Sequence, residues 1–354
     1  MLDLLADNYE VDVFLQNVWA TNTSVLKKKN IRTIVVKGGG GLLSKLTGLL
    51  SSSLVRVKKY AGRKYDLYLS FEPHGFFLCK ELFPEARPFY YSLELYFKDN
   101  HFNLEYPEDV MQKERNEIDT IKGLIIQSRE RDALFRNEYE LSDTVPTLLL
   151  PVTYLKPSVR GKSFLIRERF HLGKDTRIAL HLGGIQEYHS CIELALTFAR
   201  IDNWVLIFHG YHFGEYRDTL QDILANNSIT NVIISDELYE SIDDLDQLVM
   251  SCDLGLAWYN DMSPNFSTAG KSSGKISAYL RFGLPVIAKR YPSTMEAIEQ
   301  TGCGICVNDF DEISPAVRKI ADNYGYYSEN CRREYDAVYW FENYRAKVIE
   351  FMGG

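Results

Sequence analysis

"SSGKISAYLRFGLPVIAK", residues 272–289, holds the pattern that decides how the chain is read. Small polar residues and a Gly-Lys pair open a short helical pattern, Gly283 closes it, and Leu284-Pro285 leads into an apolar strand. A helix amino end exposes unpaired backbone N–H groups and the positive end of the helix dipole. An anion is stabilised there, and glycine lets it approach the backbone closely. Lys275 puts a full positive charge in the first turn, where a cation is unfavourable for the helix alone and a bound anion would explain it. Ser272, Ser273 and Ser277 add hydroxyl donors. The stretch therefore reads as a phosphate cradle on the carboxyl side of "DLGLAWY" (253–259). It also reads as an ordinary Ser-Gly helix start, and by itself it does not separate the two.

Working outward, short apolar runs alternate with amphipathic ones along the chain. Strands are expected at 11–15, 32–36, 65–70, 88–92, 123–128 and 147–151, then at 177–182, 204–210, 231–235, 253–259, 284–289 and 304–307. Continuous Val/Ile/Leu runs indicate parallel strands covered on both faces, with helices in the gaps. The segment 155–176 carries Pro, Gly and charges without a clean apolar period and reads as a linker near Pro157. The expected organisation is a first domain over 1–155, a second over 156–335, and a terminal amphipathic helix over 336–354 that crosses back to the first. Both domains are α/β, doubly wound and Rossmann-like. In such sheets ligands bind at the carboxyl ends of the strands, where the strand order reverses, so a cleft faced by both domains is the expected site.

Composition bounds the alternatives. The chain has 354 residues and a net charge of -8, which argues against nucleic acid as a partner. No apolar run is long enough to span a membrane, and the acidic start is unlike a signal peptide, so a cytoplasmic protein is expected. Six scattered cysteines read as reduced thiols, with Cys303 and Cys306 structural because no further zinc ligand lies near them in sequence. Between Ile31 and Tyr65 there are eight basic residues and no acid. The part over 42–64 combines leucines with basic residues and suits peripheral contact with an anionic membrane face; a solvated helix and loop is the plainer reading.

"GKISAYLRFGLPVI" resembles the nucleotide-sugar-binding segment of GT-B-fold glycosyltransferases. It is most similar to the bacterial group-1/family-4-like subset with Lys-x-Ser-x-Tyr-Leu-x-x-Gly-Leu-Pro-Val-Ile, here Lys275, Ser277, Tyr279, Leu280, Gly283, Leu284, Pro285, Val286 and Ile287. "LHLGGI" (180–185), "WVLIFHG" (204–210), "LVMSCDLGLAWY" (248–259) and "EAIEQTGCGICV" (296–307) resemble its neighbouring segments. The resemblance implies a GT-B-like fold and a sugar transferred from a nucleotide-diphosphate sugar, UDP-sugar favoured, to a glycan or lipid-linked acceptor. It implies a retaining enzyme with no metal and no cofactor beyond the co-substrate. The donor residues it implies are Gly183, Gly184, His209, Gly210, Tyr259, Asn260, Ser273, Gly274, Lys275, Ile276, Ser277 and Tyr279.

The departures shape the chemistry. Two glutamates that many retaining members carry would fall near Gly270 and at Ala278, and neither is present. No basic pair follows Gly184, which puts the diphosphate charge on Lys275, helped by Lys271, Lys289 and Arg290. Preorganised charge of this kind is usually the largest catalytic contribution. If the anomeric centre inverts, a base is needed, and Glu94 and His74, with Glu72 behind them, stand at the ends of first-domain strands. The start, "LLADNYEVDVF", resembles the end of a helix that follows a first strand, so that strand of the N-terminal domain is expected to be missing. The absent glutamates and strand also motivate an alternative: a non-catalytic or regulatory subunit that binds a nucleotide sugar.

Overall fold

The computed structural model describes residues 1–15, 24–36, 58–60, 62–97, 108–155, 157, 161–211, 214–235 and 242–353. The basic, leucine-rich stretch expected to meet a membrane lies mostly outside them. Among the described residues no helix is long and apolar enough to cross a membrane.

The chain divides into two compact units. One comprises Met1–Tyr91, Thr120–Gly123 and Lys347–Gly354, the other Ser92–Asp119 and Leu124–Ala346. This grouping places 124–155 with the larger unit, whereas the sequence reading ended the first domain at 155.

In the smaller unit, strands β1 (Val11–Leu15) and β2 (Ile31–Val35) pair in parallel, with Val11 opposite Ile31. Strands β3 (Leu69–Phe71) and β4 (Phe89–Tyr91) form a second parallel pair. Helix α1 (Glu72–Leu82) follows β3 directly. Among the described residues no backbone ladder joins β1 to β3. Side chains tie β1 to the segments before β3 and after α1: the Tyr65 hydroxyl donates to Asp12 at 2.5 Å, and Phe14 meets Phe83 edge-on at 6.1 Å. β1, residues 64–71 and α1 line a cavity of about 690 Å³. The chain's end returns here, as Phe351 packs on Phe89 at 5.2 Å and leaves no room for a side chain at Gly123.

β5 (Gly123–Ile126), in the larger unit from Leu124 onward, pairs in parallel with β6 (Thr147–Leu149). Helix α2 (Arg129–Tyr139) lies between them in sequence, capped by Ser128, whose side chain accepts from the Arg131 amide. The main sheet has six parallel strands in the order β12-β11-β10-β7-β8-β9. They are β7 (Arg177–Leu182), β8 (Trp204–His209), β9 (Val232–Ser235), β10 (Leu254–Ala257), β11 (Val286–Lys289) and β12 (Gly304–Val307). β8 and β10 are buried at every residue, as expected of strands sandwiched between helices. Helices α3 (Cys191–Phe198), α4 (Gly274–Arg281) and α5 (Ile313–Asp322) contribute to the cover. The strand order reverses between β7 and β10, which makes the carboxyl ends of those two strands the natural place for a ligand.

Candidate anion site at the sheet switch point

β7 ends at Leu182 and turns at Gly183, whose φ is +124°. β8 ends at His209 and turns at Gly210, φ +154°. The two turns press together: a Cβ at Gly210 would lie 2.1 Å from the Gly183 carbonyl oxygen. Only glycine meets both the dihedral and the contact. His209 is buried, with Nδ1 3.2 Å from the Ser235 hydroxyl.

Across the reversal, β10 runs into Trp258 and Tyr259, and α4 begins at Gly274. Ser273 caps this helix, its Oγ accepting from the Ile276 amide at 3.3 Å. The same Oγ lies 2.5 Å from the Tyr259 hydroxyl. Among the described residues, the amides of Gly274 and Lys275 have no protein acceptor. Donors for an anion are thus left open at the helix start.

Lys275 stands over this opening. Its ammonium lies 4.6 Å from the centre of the Tyr259 ring and 3.5 Å from where a Cβ on Gly183 would be. Among the described residues no carboxylate pairs with it. Burial pushes its pKa down to about 7. The other expected helpers are engaged: Lys271 with Glu296 at 2.6 Å, Lys289 with the Asn308 carbonyl, and Arg290 with Glu299 at 2.8 Å.

Lys275 Nζ is 3.4 Å from Nε2 of His189, whose Nδ1 lies 2.8 Å from the Trp258 carbonyl oxygen. A carbonyl only accepts, so Nδ1 carries the proton and Nε2 offers a lone pair to the ammonium. Burial, with Lys275 beside it, pushes the His189 pKa down to about 2, so the ring stays neutral. His181 backs this pair edge-on at 4.8 Å and is also held well below the usual histidine range by burial. Tyr188, Phe266 and Tyr259 stack in series, 5.3 Å and 5.7 Å apart, and wall the site with aromatic faces.

Several expected donor residues do other work. Tyr279 is fully buried. Its hydroxyl donates to the Leu180 carbonyl at 3.0 Å and accepts from the Leu182 amide at 2.9 Å. It therefore stabilises the β7 backbone, and Gly255 in β10 leaves room for its ring. Ile276 and Ser277 are also fully buried. Asn260 is a clip: its side chain accepts from Ser190 at 2.8 Å and donates to the Glu187 carbonyl at 3.0 Å. Gly184 is buried against Tyr188 and lines the turn. Glu94, exposed in the larger unit, adds its charge to the surroundings of Tyr259. His74 is exposed in the first turn of α1 in the smaller unit, beside the cavity there, and Glu72 opens that helix at φ +57°.

The sequence reading missed His189, Tyr188 and Phe266. It met His189 only as part of a stretch lacking a basic pair. The histidine's meaning comes from Lys275, 86 positions away, and no local period signals that contact.

A six-stranded parallel sheet whose strand order reverses beside an open helix start has the form of a doubly wound, Rossmann-like domain. The solved structures agree on the fold. The chain is similar to the sucrose-phosphate synthase of Thermosynechococcus elongatus, at 16% identity over 98% of this chain and 89% of that one, with a TM-score of 0.75. It is similar to Anabaena Alr3699/HepE in complex with UDP-glucose, at 14% identity over 99% and 94%, TM-score 0.74. AviGT4, a glycosyltransferase involved in avilamycin A biosynthesis, matches at 14% identity over 99% and 86%, TM-score 0.58. A search of curated proteins finds no match. The fold is α/β, GT-B-like, with two parallel-sheet Rossmann-like domains. Residues 227–338, the stretch that runs from β9 to β12 and includes α4, match the family model described as glucosyltransferase 3-like, C-terminal domain.

Proposed function

We propose that this chain is a glycosyltransferase that moves a sugar from a nucleotide-diphosphate sugar, UDP-sugar favoured, to a glycan or lipid-linked acceptor. The observation that carries the reading is the half-buried, carboxylate-free ammonium of Lys275, standing beside the open amides of Gly274 and Lys275. A pyrophosphate is the ligand that matches this arrangement. Its charge draws the Lys275 ammonium, its oxygens accept the amides, and the helix dipole favours it. Solved with UDP-glucose, the Anabaena structure supports a UDP-sugar.

In the proposed reaction the leaving diphosphate gathers charge as the glycosidic bond breaks. The Lys275 ammonium and the helix start stabilise that charge. Ser273, fixed by Tyr259, holds the first turn in place. In a retaining transfer the diphosphate helps take the proton of the acceptor hydroxyl. In an inverting one, Glu94 or His74 is the candidate base. The basic stretch 42–64 supports peripheral contact with an anionic membrane when the acceptor is lipid-linked.

A second reading, a binding subunit without turnover, is favoured by one feature. A side chain at Gly270, near which many retaining members of the resembled family carry a carboxylate, would meet the Ser293 carbonyl oxygen at 2.1 Å, so this position has no room for one. A panel of nucleotide sugars separates the readings. A transferase slowly splits its cognate donor without acceptor and transfers when acceptor is added. Binding without splitting, for every donor, supports the subunit.

A further inference from the structure

Arg131, in the first turn of α2, is a cation buried to 1% exposure. Its Nη1 donates to Thr268 Oγ1 at 3.3 Å and Ser272 Oγ at 3.1 Å. Its Nη2 donates to the Leu93 carbonyl at 2.7 Å and to Asn265 Oδ1 at 3.0 Å. Asn265 continues the link: Oδ1 accepts from the Leu95 amide at 2.7 Å, and Nδ2 donates to the Leu95 carbonyl at 2.9 Å. The carboxamide thus pairs with the Leu95 backbone as a neighbouring strand would. One guanidinium grips two chain segments at once. One is 265–272, which runs directly into Ser273 and Lys275; the other is 93–95, which carries Glu94. Burying a cation is costly, and apolar packing would serve plain cohesion at least as well. What a fork of fixed N–H groups adds is register between the segments it joins.

We propose that Arg131 is a positioning residue. Acting through Asn265, it holds the loop bearing Glu94 in register with the segment that ends in the anion site. The acceptor-facing and diphosphate-facing parts of the reaction are thereby aligned. This inference rests on the transferase reading above. Arg131 touches no reacting atom; its effect falls on the geometry of transfer and not on nucleotide binding.

The test uses the full chain with Asn265→Ala and Arg131→Lys. The first removes the Asn265 bridge to Leu95 while leaving the guanidinium and its bond to the Leu93 carbonyl in place, and the second keeps the charge while losing the fork, so the result does not hang on one variant folding. Three readouts are taken: UDP affinity by calorimetry, kcat and donor KM for transfer, and hydrogen exchange at the Leu95 and Ile276 amides. In both variants, UDP affinity and donor KM are expected to stay within about threefold of the parent while kcat falls at least about tenfold, the scale of a small misplacement of reacting groups. Leu95 loses protection and Ile276 keeps it. Unchanged Leu95 protection, or a fall of kcat and donor affinity by the same factor, overturns the proposal. If the parent chain binds no nucleotide and splits no donor, the transferase reading fails; the linkage of the two segments is then decided by Leu95 exchange alone.

Discussion

Lys275 Nζ and His189 Nε2 lie 3.4 Å apart, with the histidine held in one tautomer by the Trp258 carbonyl. The neutral ring gives a poorly solvated ammonium one acceptor without neutralising it. Lys275 therefore keeps its charge available for a ligand, at the cost of a lowered pKa. A carboxylate in place of His189 would have stabilised the lysine and closed the site to anions.

This arrangement sets the pH dependence of donor binding. The free protein holds the Lys275 proton with a pKa of about 7, and a bound pyrophosphate raises it. Above about pH 7, binding must take up a proton, so UDP-glucose affinity falls by up to about tenfold per pH unit. Below that value the lysine is already charged and affinity levels off. Calorimetry from pH 6 to 9, in buffers of differing ionisation enthalpy, reports the uptake directly, and a flat profile would contradict the assignment. Stability moves the other way. The unfolded lysine keeps its ordinary value of 10.5, so the folded form binds fewer protons between about 7 and 10.5 and gains stability as pH rises through that window.

His189→Phe keeps a ring in the aromatic wall and removes the lone pair. The ammonium then loses an acceptor and its pKa drops further. UDP-glucose affinity at pH 7.5 is expected to fall about tenfold, the lower end of the scale for one hydrogen bond to a charged group. The break in the affinity–pH profile moves to lower pH. An unmoved break would remove His189 from the account.

Tyr279→Phe separates a structural from a ligand-binding tyrosine. Its hydroxyl serves the Leu180 carbonyl and the Leu182 amide. Losing it leaves buried polar groups unpaired, and denaturant unfolding should show a loss of about 1–3 kcal/mol. Donor affinity of the folded protein stays within about twofold, because the side chain reaches no ligand; a change of that size is ordinary for a residue outside a binding site. A stable variant with tenfold weaker binding, on the order of 1.4 kcal/mol, would restore Tyr279 to the donor site.

Gly210→Ala tests the pressed turns. The new Cβ meets the Gly183 carbonyl oxygen at a φ of +154°, so both the contact and the dihedral are unfavourable. A loss of about 2–4 kcal/mol is expected, at the upper end for single substitutions. UDP binding weakens with it, since the Gly183 turn beside Lys275 must shift. A melting temperature like that of the parent would show that the turns are looser than described.

Much of this was legible beforehand. Continuous apolar runs place β1, β7 and β12 at their observed residues and most other strands within one or two. The Ser-Gly-Lys start places α4. The motif row misled at Tyr279. Read as a string, Lys-x-Ser-x-Tyr looks like a line of ligands. On a helix, Ile276, Tyr279 and Leu280 follow i, i+3, i+4 spacing and lie in the core, with Ser277, Ala278 and Arg281 buried beside them. That period was available and points inward. The His189 contact, the Gly183–Gly210 clash and the Arg131 linkage were not available, because each joins segments far apart in sequence.

The most direct test of the central claim is calorimetric titration of UDP-glucose into the parent chain and Lys275→Met at pH 6.5. Methionine keeps the length of the side chain and removes the charge. The account predicts a folded, equally or more stable variant whose affinity falls at least about thirtyfold, equivalent to about 2 kcal/mol of lost charge–phosphate interaction. Undiminished affinity in a folded variant would show that the anion does not sit against Lys275.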